Sequence, residues 1–101
     1  MSFVVTDRCN SLCATCNIGK RYLEDPSIAD GELSLAEYRR LFASIGRPAW
    51  VTLSGGEPFM RPDWLQICER LVALEMAPVM VSNLTFANGE HFDALARLGV
   101  E

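Results

Sequence analysis

Thr6-Asp7-Arg8-Cys9-Asn10-Ser11-Leu12-Cys13-Ala14-Thr15-Cys16 carries three of the chain's four cysteines at C-x3-C-x2-C spacing. Thiolates are soft ligands for zinc, copper(I) or iron–sulfur clusters, and a short polar loop can wrap three of them around one metal centre. Three ligands leave such a centre one short. A closed structural zinc site takes four protein ligands, whereas a catalytic centre keeps a position open for water or substrate. A plainer reading also exists: positions 9, 13 and 16 follow i, i+4, i+7, the spacing of one buried helical face. The residues between them are Asn, Ser, Leu, Ala and Thr, which make a poor helix with no other apolar stripe.

The chain has 101 residues, half of them hydrophobic, which is enough for one domain with its own core. Met1-Ser2 leads straight into Phe3-Val4-Val5, with no basic leader region and no apolar run of membrane-spanning length. A cytoplasmic protein without a membrane partner is the expectation. Cys9, Cys13 and Cys16 lie too close together for a cross-linking disulfide framework, so reduced thiols are expected. The net charge of −4 comes from interspersed acids and bases and offers no basic stripe for a phosphate backbone. Nucleic acid is therefore not an implied partner.

Working outward from the cysteines, apolar strand-like runs alternate with segments of helical period. Val4 to Thr6 reads as a strand, Asp7 to Lys20 as the cysteine loop, and Tyr22 to Glu32 as a connection rich in turn formers. Ser34-Leu35-Ala36-Glu37 is a capping box that opens a helix with Leu35, Tyr38, Leu41, Phe42 and Ile45 inward, ended by Gly46 and Pro48. Trp50 to Ser54 is the second strand and stops at Gly55-Gly56. Pro62 suits the first turn of the next helix, whose apolar face is Leu65, Cys68, Leu71, Val72 and Leu74. Pro78 to Ser82 is the third strand. Asn88-Gly89 opens a third helix, with Phe92, Leu95, Ala96 and Leu98 inward and Gly99 as its stop. Trp50, Trp64, Tyr38 and the methionines read as core or boundary packing.

This alternation predicts an α/β fold built of parallel β/α units, in which ligands gather at the carboxyl ends of the strands. Cys9 follows the first strand, Gly55-Gly56-Glu57 the second and Ser82-Asn83 the third. Residues far apart in sequence are thus expected on one edge.

The cysteine spacing after a short apolar strand resembles the N-terminal signature of the radical S-adenosylmethionine (radical SAM) enzymes, and Ser54-Gly55-Gly56-Glu57-Pro58 resembles that family's Gly-Gly-Glu-Pro motif. By itself the second motif is also an ordinary strand-to-helix turn. The resemblance implies a partial, TIM-like (β/α) barrel. It makes residues 1–101 the N-terminal part of a radical SAM core domain, with Val100-Glu101 as the start of a fourth strand, cut short. It also implies that Cys9, Cys13 and Cys16 hold three irons of a 4Fe-4S cluster, the fourth iron taking the amino and carboxylate groups of S-adenosyl-L-methionine. A 5′-deoxyadenosyl radical would then abstract hydrogen from an unknown substrate, as in an oxidoreductase. Gly55, Gly56 and Glu57 would sit at the methionine end of the cofactor. Ser82 and Asn83 match part of a Thr-Asn-Gly-like segment that contacts the cofactor, with Leu84 where glycine is expected. Thr15 stands where relatives carry an aromatic residue near the adenine. The implied partners are an external electron donor and a small-molecule or peptide substrate.

Arg8 and Lys20 read either as solvated charges or as partners of a negatively charged cluster. The alternative for the whole chain is a small structural zinc module completed by Cys68 or His91. Cys68 falls on an apolar helix face, where cysteine commonly acts as a small hydrophobe, and His91 is expected to be exposed in a first helical turn.

Overall fold

The computed structural model describes residues 1–48 and 50–101. Among these residues three strands, β1 (Ser2–Thr6), β2 (Trp50–Gly55) and β3 (Ala77–Met80), form one parallel sheet in the order β1-β2-β3. Four helices connect or follow them: α1 (Ile18–Glu24), α2 (Leu35–Ser44), α3 (Trp64–Ala73) and α4 (Gly89–Leu98). Two 3₁₀ turns, Pro26–Gly31 and Pro58–Met60, complete the order of elements. The parallel α/β architecture expected from the sequence is therefore the one observed.

Alternation along the strands sorts the sheet into two faces. Val5, Val51, Leu53 and Pro78 are buried, and the first three join Tyr38 and Phe42 of α2, and Ile67, Cys68 and Leu71 of α3, in one core cluster. Val4, Trp50 and Val81 are exposed. Trp50 is thus a correction to its reading as packing: it is 58% exposed. Tyr38, Trp64 and Met76 are buried as expected.

The capping box of α2 forms as its sequence dictates: Glu37 N–H donates to Ser34 Oγ at 3.1 Å and Ser34 N–H to Glu37 Oε1 at 3.0 Å. Asn88 caps α4, with His91 as its reciprocal partner, and Gly99 closes that helix in the left-handed region at φ 67°.

Other boundaries and faces differ from expectation. The cysteine loop ends early, because Ile18–Glu24 is helical, and the segment read as a connection contains a 3₁₀ turn whose Asp25 side chain accepts from Ser27 N–H. Pro62 precedes α3 instead of opening it, since Pro58–Met60 already takes the turn after β2. The face that α3 buries is Trp64, Ile67, Cys68 and Leu71, while Val72 is exposed. On α4 the buried residue is Ala94, and Phe92 and Ala96 are exposed. β3 stops at Met80, so Ser82 and Asn83 lie in the loop beyond it. Along the outer edge of β3, Met80 N–H donates to Glu101 O and Glu101 N–H to Pro78 O.

Candidate metal and cofactor site

The ends of the three strands meet as the motif order predicts, and backbone bonds hold the first two together beyond the ladder. Gly56 N–H donates to Thr6 O at 3.0 Å, and Glu57 N–H to Arg8 O at 2.7 Å. The register slips between Val4 and Thr6, where Thr6 faces Gly55. Gly55 has φ +139°, and a Cβ there would collide with the Thr6 carbonyl oxygen. A Cβ on Gly56 would collide with Arg8 O and come within 2.7 Å of Cys9 Cβ. The two glycines therefore let the cysteine loop pass directly against the turn after β2.

Glu57 is 0% exposed, so its carboxylate requires internal donors. Ser82 Oγ donates to Oε1 at 2.7 Å, Phe59 N–H to the same oxygen at 3.1 Å, and Asn83 N–H to Oε2 at 2.9 Å. The sequence reading placed this carboxylate at the ammonium end of a cofactor. In the structure its two oxygens accept from Ser82 and Asn83 in the loop after β3 and from its own turn.

Cys9, Cys13, Cys16 and Cys68 are all free thiols. Cys13 and Cys16 are exposed and line an open concavity of about 700 Å³ between the cysteine loop and α1, with Leu12, Lys20, Leu23 and Glu24. Cys9 is half-buried, its Sγ 3.8 Å from Ser11 O. Gly19 of α1 packs on this part of the loop so closely that a Cβ there would overlap Ser11 O. Among the described residues, no three His, Cys, Asp or Glu side chains are grouped as a metal would require. The donor chemistry nevertheless suits an iron–sulfur cluster, since three free thiols share one short loop.

The rival ligands lie elsewhere. Cys68 is 0% exposed in the core cluster, and burial, with a smaller contribution from Glu69, pushes its thiol up to about 12. His91 is half-buried, a correction to the expectation of exposure. Its ring stacks on Phe59 at 5.0 Å and meets Trp64 edge-on at 5.4 Å, and its Nδ1 accepts from Asn88 N–H.

A charged network that sequence reasoning missed lies behind the end of β1. Arg61, 3% exposed, donates to Val5 O at 2.8 Å and Leu33 O at 2.6 Å, pairs with Asp63 and lies 3.7 Å from Glu32. Its guanidinium also sits 5.2 Å from the Tyr38 ring centroid. Burial raises the Tyr38 phenol above its ordinary range, and Arg61 opposes that shift. Glu32 accepts from Thr6 Oγ1 and lies 3.5 Å from Arg8 Nε, so Arg8 is an ion-pair partner and not a freely solvated charge. The Arg61-Pro62-Asp63 spacing was the one available signal, as a short fork-and-carboxylate pair in a turn.

The Radical SAM superfamily model matches residues 3–101. Similar proteins include the pre-heme d1 synthase of Dinoroseobacter shibae, 34% identical over 96% of this chain and 24% of that protein. The GTP 3',8-cyclase of Mannheimia succiniciproducens is 43% identical over 70% of this chain and 21% of its own length. The AdoMet-dependent heme synthase of Methanosarcina barkeri is 32% identical over 100% of this chain and 28% of its own. The chain thus spans about a quarter of the length of these relatives. No solved structure gives a significant match. With the family model covering nearly every residue and both motifs meeting at one edge of the sheet, this chain belongs to the Radical SAM superfamily.

Proposed function

We propose that this chain carries the cluster-binding part of a radical SAM oxidoreductase, with Cys9, Cys13 and Cys16 as ligands of a 4Fe-4S cluster. The observation that supports it most is the meeting of the cysteine loop with the Gly55-Gly56 turn, where no Cβ would fit. When bound, the cluster and S-adenosyl-L-methionine supply an electron and a sulfonium whose cleavage gives a 5′-deoxyadenosyl radical for hydrogen abstraction.

The chain's own residues bind and position. The three thiols would hold the metal centre, with one coordination position left to the cofactor. Gly55 and Gly56 bring their backbone to the loop, so that their carbonyls can serve the methionine ammonium. Glu57, Ser82 and Asn83 brace this wall through the bonds they make to one another. Arg8 and Arg61, paired with Glu32 and Asp63, brace the end of β1 from which the cysteine loop leaves. AdoMet dependence in the name of one relative supports the cofactor assignment. An external electron donor and a small-molecule or peptide substrate complete the proposal. Free thiols suit a reducing compartment such as the cytoplasm, and no helix among the described residues is long and apolar enough to cross a membrane.

Anaerobic reconstitution with iron and sulfide tests this reading. A brown protein that forms 5′-deoxyadenosine from S-adenosyl-L-methionine under a low-potential reductant supports it. A colourless protein holding one zinc contradicts it and favours the structural-metal alternative.

A further inference from the structure

Between Cys9 and Cys16, the hydrogen bonds that tie the cysteine loop to another part of the chain run, among the described residues, to two side chains only. Asn83 Nδ2 donates to Asn10 Oδ1 at 3.1 Å and to Ser11 Oγ at 2.8 Å. Asn10 Nδ2 donates to Thr85 Oγ1 at 2.9 Å. Thr85 in turn donates to Asn83 Oδ1 from its hydroxyl at 2.8 Å and from its N–H at 2.9 Å. Asn10, Asn83 and Thr85 therefore close a ring of side-chain bonds, and every polar atom of the Asn83 side chain has a partner. The Asn83 N–H is itself fixed by buried Glu57.

We infer that Asn83 is a positioning residue: it registers the cysteine loop against the Gly-Gly-Glu turn, and contacts the cofactor only through the loop it holds. The chain of bonds runs Glu57 to Asn83 to Asn10 and Ser11, immediately after Cys9. It spans three strand ends and joins positions more than seventy residues apart. The backbone bonds from the turn reach only as far as Arg8, so they do not restrain the thiols that follow. A clamp built on one amide side chain can hold a loop that later takes a metal without occupying a ligand position. Fixing the ligands' frame in advance in this way lowers the ordering needed when a metal binds.

The inference rests on the proposed cysteine site, but its test is made on the metal-free full chain. Amide hydrogen exchange and thiol alkylation are compared in the parent protein, Asn83→Ala, the loop-side pair Asn10→Ala/Ser11→Ala, and the triple variant. Exchange across residues 9–16 and alkylation of Cys9 are expected to rise about tenfold over the parent in Asn83→Ala and in the loop-side pair, with α3 amides unchanged and the triple variant no faster than either. The loop-side pair leaves the Asn83–Thr85 turn intact, so it reads the clamp even where Asn83→Ala folds poorly. Unchanged exchange across 9–16, additive effects, or equal acceleration in α3 would overturn the inference. If the parent protein takes up no iron while the exchange result holds, the cluster assignment fails and the clamp stands. Where a cluster does form, altered electron paramagnetic resonance of its reduced state in Asn83→Ala, with iron content retained, is the expected signature of positioning.

Discussion

The Ser82 hydroxyl donates to Glu57 Oε1 at 2.7 Å, and this bond joins the turn after β2 to the loop after β3 inside the protein. A carboxylate buried completely is retained only when its lone pairs are met, and here two of the three donors are backbone N–H groups that cannot turn away.

Glu57→Gln is therefore expected to destabilise although it preserves shape. Whichever way the amide is turned, its NH₂ faces either Phe59 N–H or Asn83 N–H, and one backbone donor loses its acceptor. An unsatisfied buried group of this kind costs about 1–3 kcal/mol. In a domain of this size that corresponds to a fall in Tm of roughly 10 °C. Thermal denaturation of the two proteins side by side checks this, and equal midpoints would contradict it.

Leu84 lies in the left-handed region at φ 63°, where the family motif has glycine. Its side chain is 54% exposed, so replacing it gives up little packing. The left-handed conformation costs a branched residue about 1–2 kcal/mol, and the greater freedom of glycine when unfolded returns about half of that. Leu84→Gly is expected to raise Tm by a few degrees, whereas Leu84→Ala, which keeps the strained Cβ, is not. Differential scanning calorimetry separates the two, and no gain for glycine over alanine would contradict the strain.

Cys68 differs from the other cysteines in burial, and this has a pH consequence. Its thiol is raised from an ordinary 9.0 to about 12. A raised acid ionises first in the unfolded chain, so its stabilising contribution is complete below pH 9 and declines as pH rises towards 12. Within that window each pH unit removes about 1.4 kcal/mol. Urea unfolding between pH 9 and 10, below the ordinary value of 10.0 above which the raised Tyr38 phenol adds a slope of its own, is expected to show this dependence, and Cys68→Ala to lack it. A slope that survives in Cys68→Ala would assign it to other groups. Native alkylation is also expected to modify three cysteines and to reach Cys68 only after unfolding.

Features with local causes were legible in the sequence. The Ser34–Glu37 box, the Asn88 cap and the Gly99 stop each depend on residues within one turn, and each is where the pattern put it. The convergence of Cys9, Gly55-Gly56 and Ser82-Asn83 was legible too, because β/α alternation fixes which strand ends coincide. What escaped was tertiary. Helix α1 has neither a side-chain cap nor an apolar stripe, and its only buried residue is Gly19, whose role depends on the loop above it. On α3 the apolar residues form one broad face, and which part of it is buried, Trp64, Ile67, Cys68 and Leu71 and not the flank with Val72, depends on where the sheet lies. Arg61 was missed because its partners, Val5 O on β1 and Glu32 and Leu33 O before α2, come from two segments far from it in sequence.

Whether Cys9, Cys13 and Cys16 together hold one iron–sulfur cluster is decided by iron and acid-labile sulfide per chain after anaerobic reconstitution. Roughly four irons and four sulfides are expected in the parent protein, with loss of stable cluster in Cys9→Ala, Cys13→Ala and Cys16→Ala and retention in Cys68→Ser. A Cys68→Ser protein without iron, beside a triad variant that keeps a full complement, would contradict this assignment.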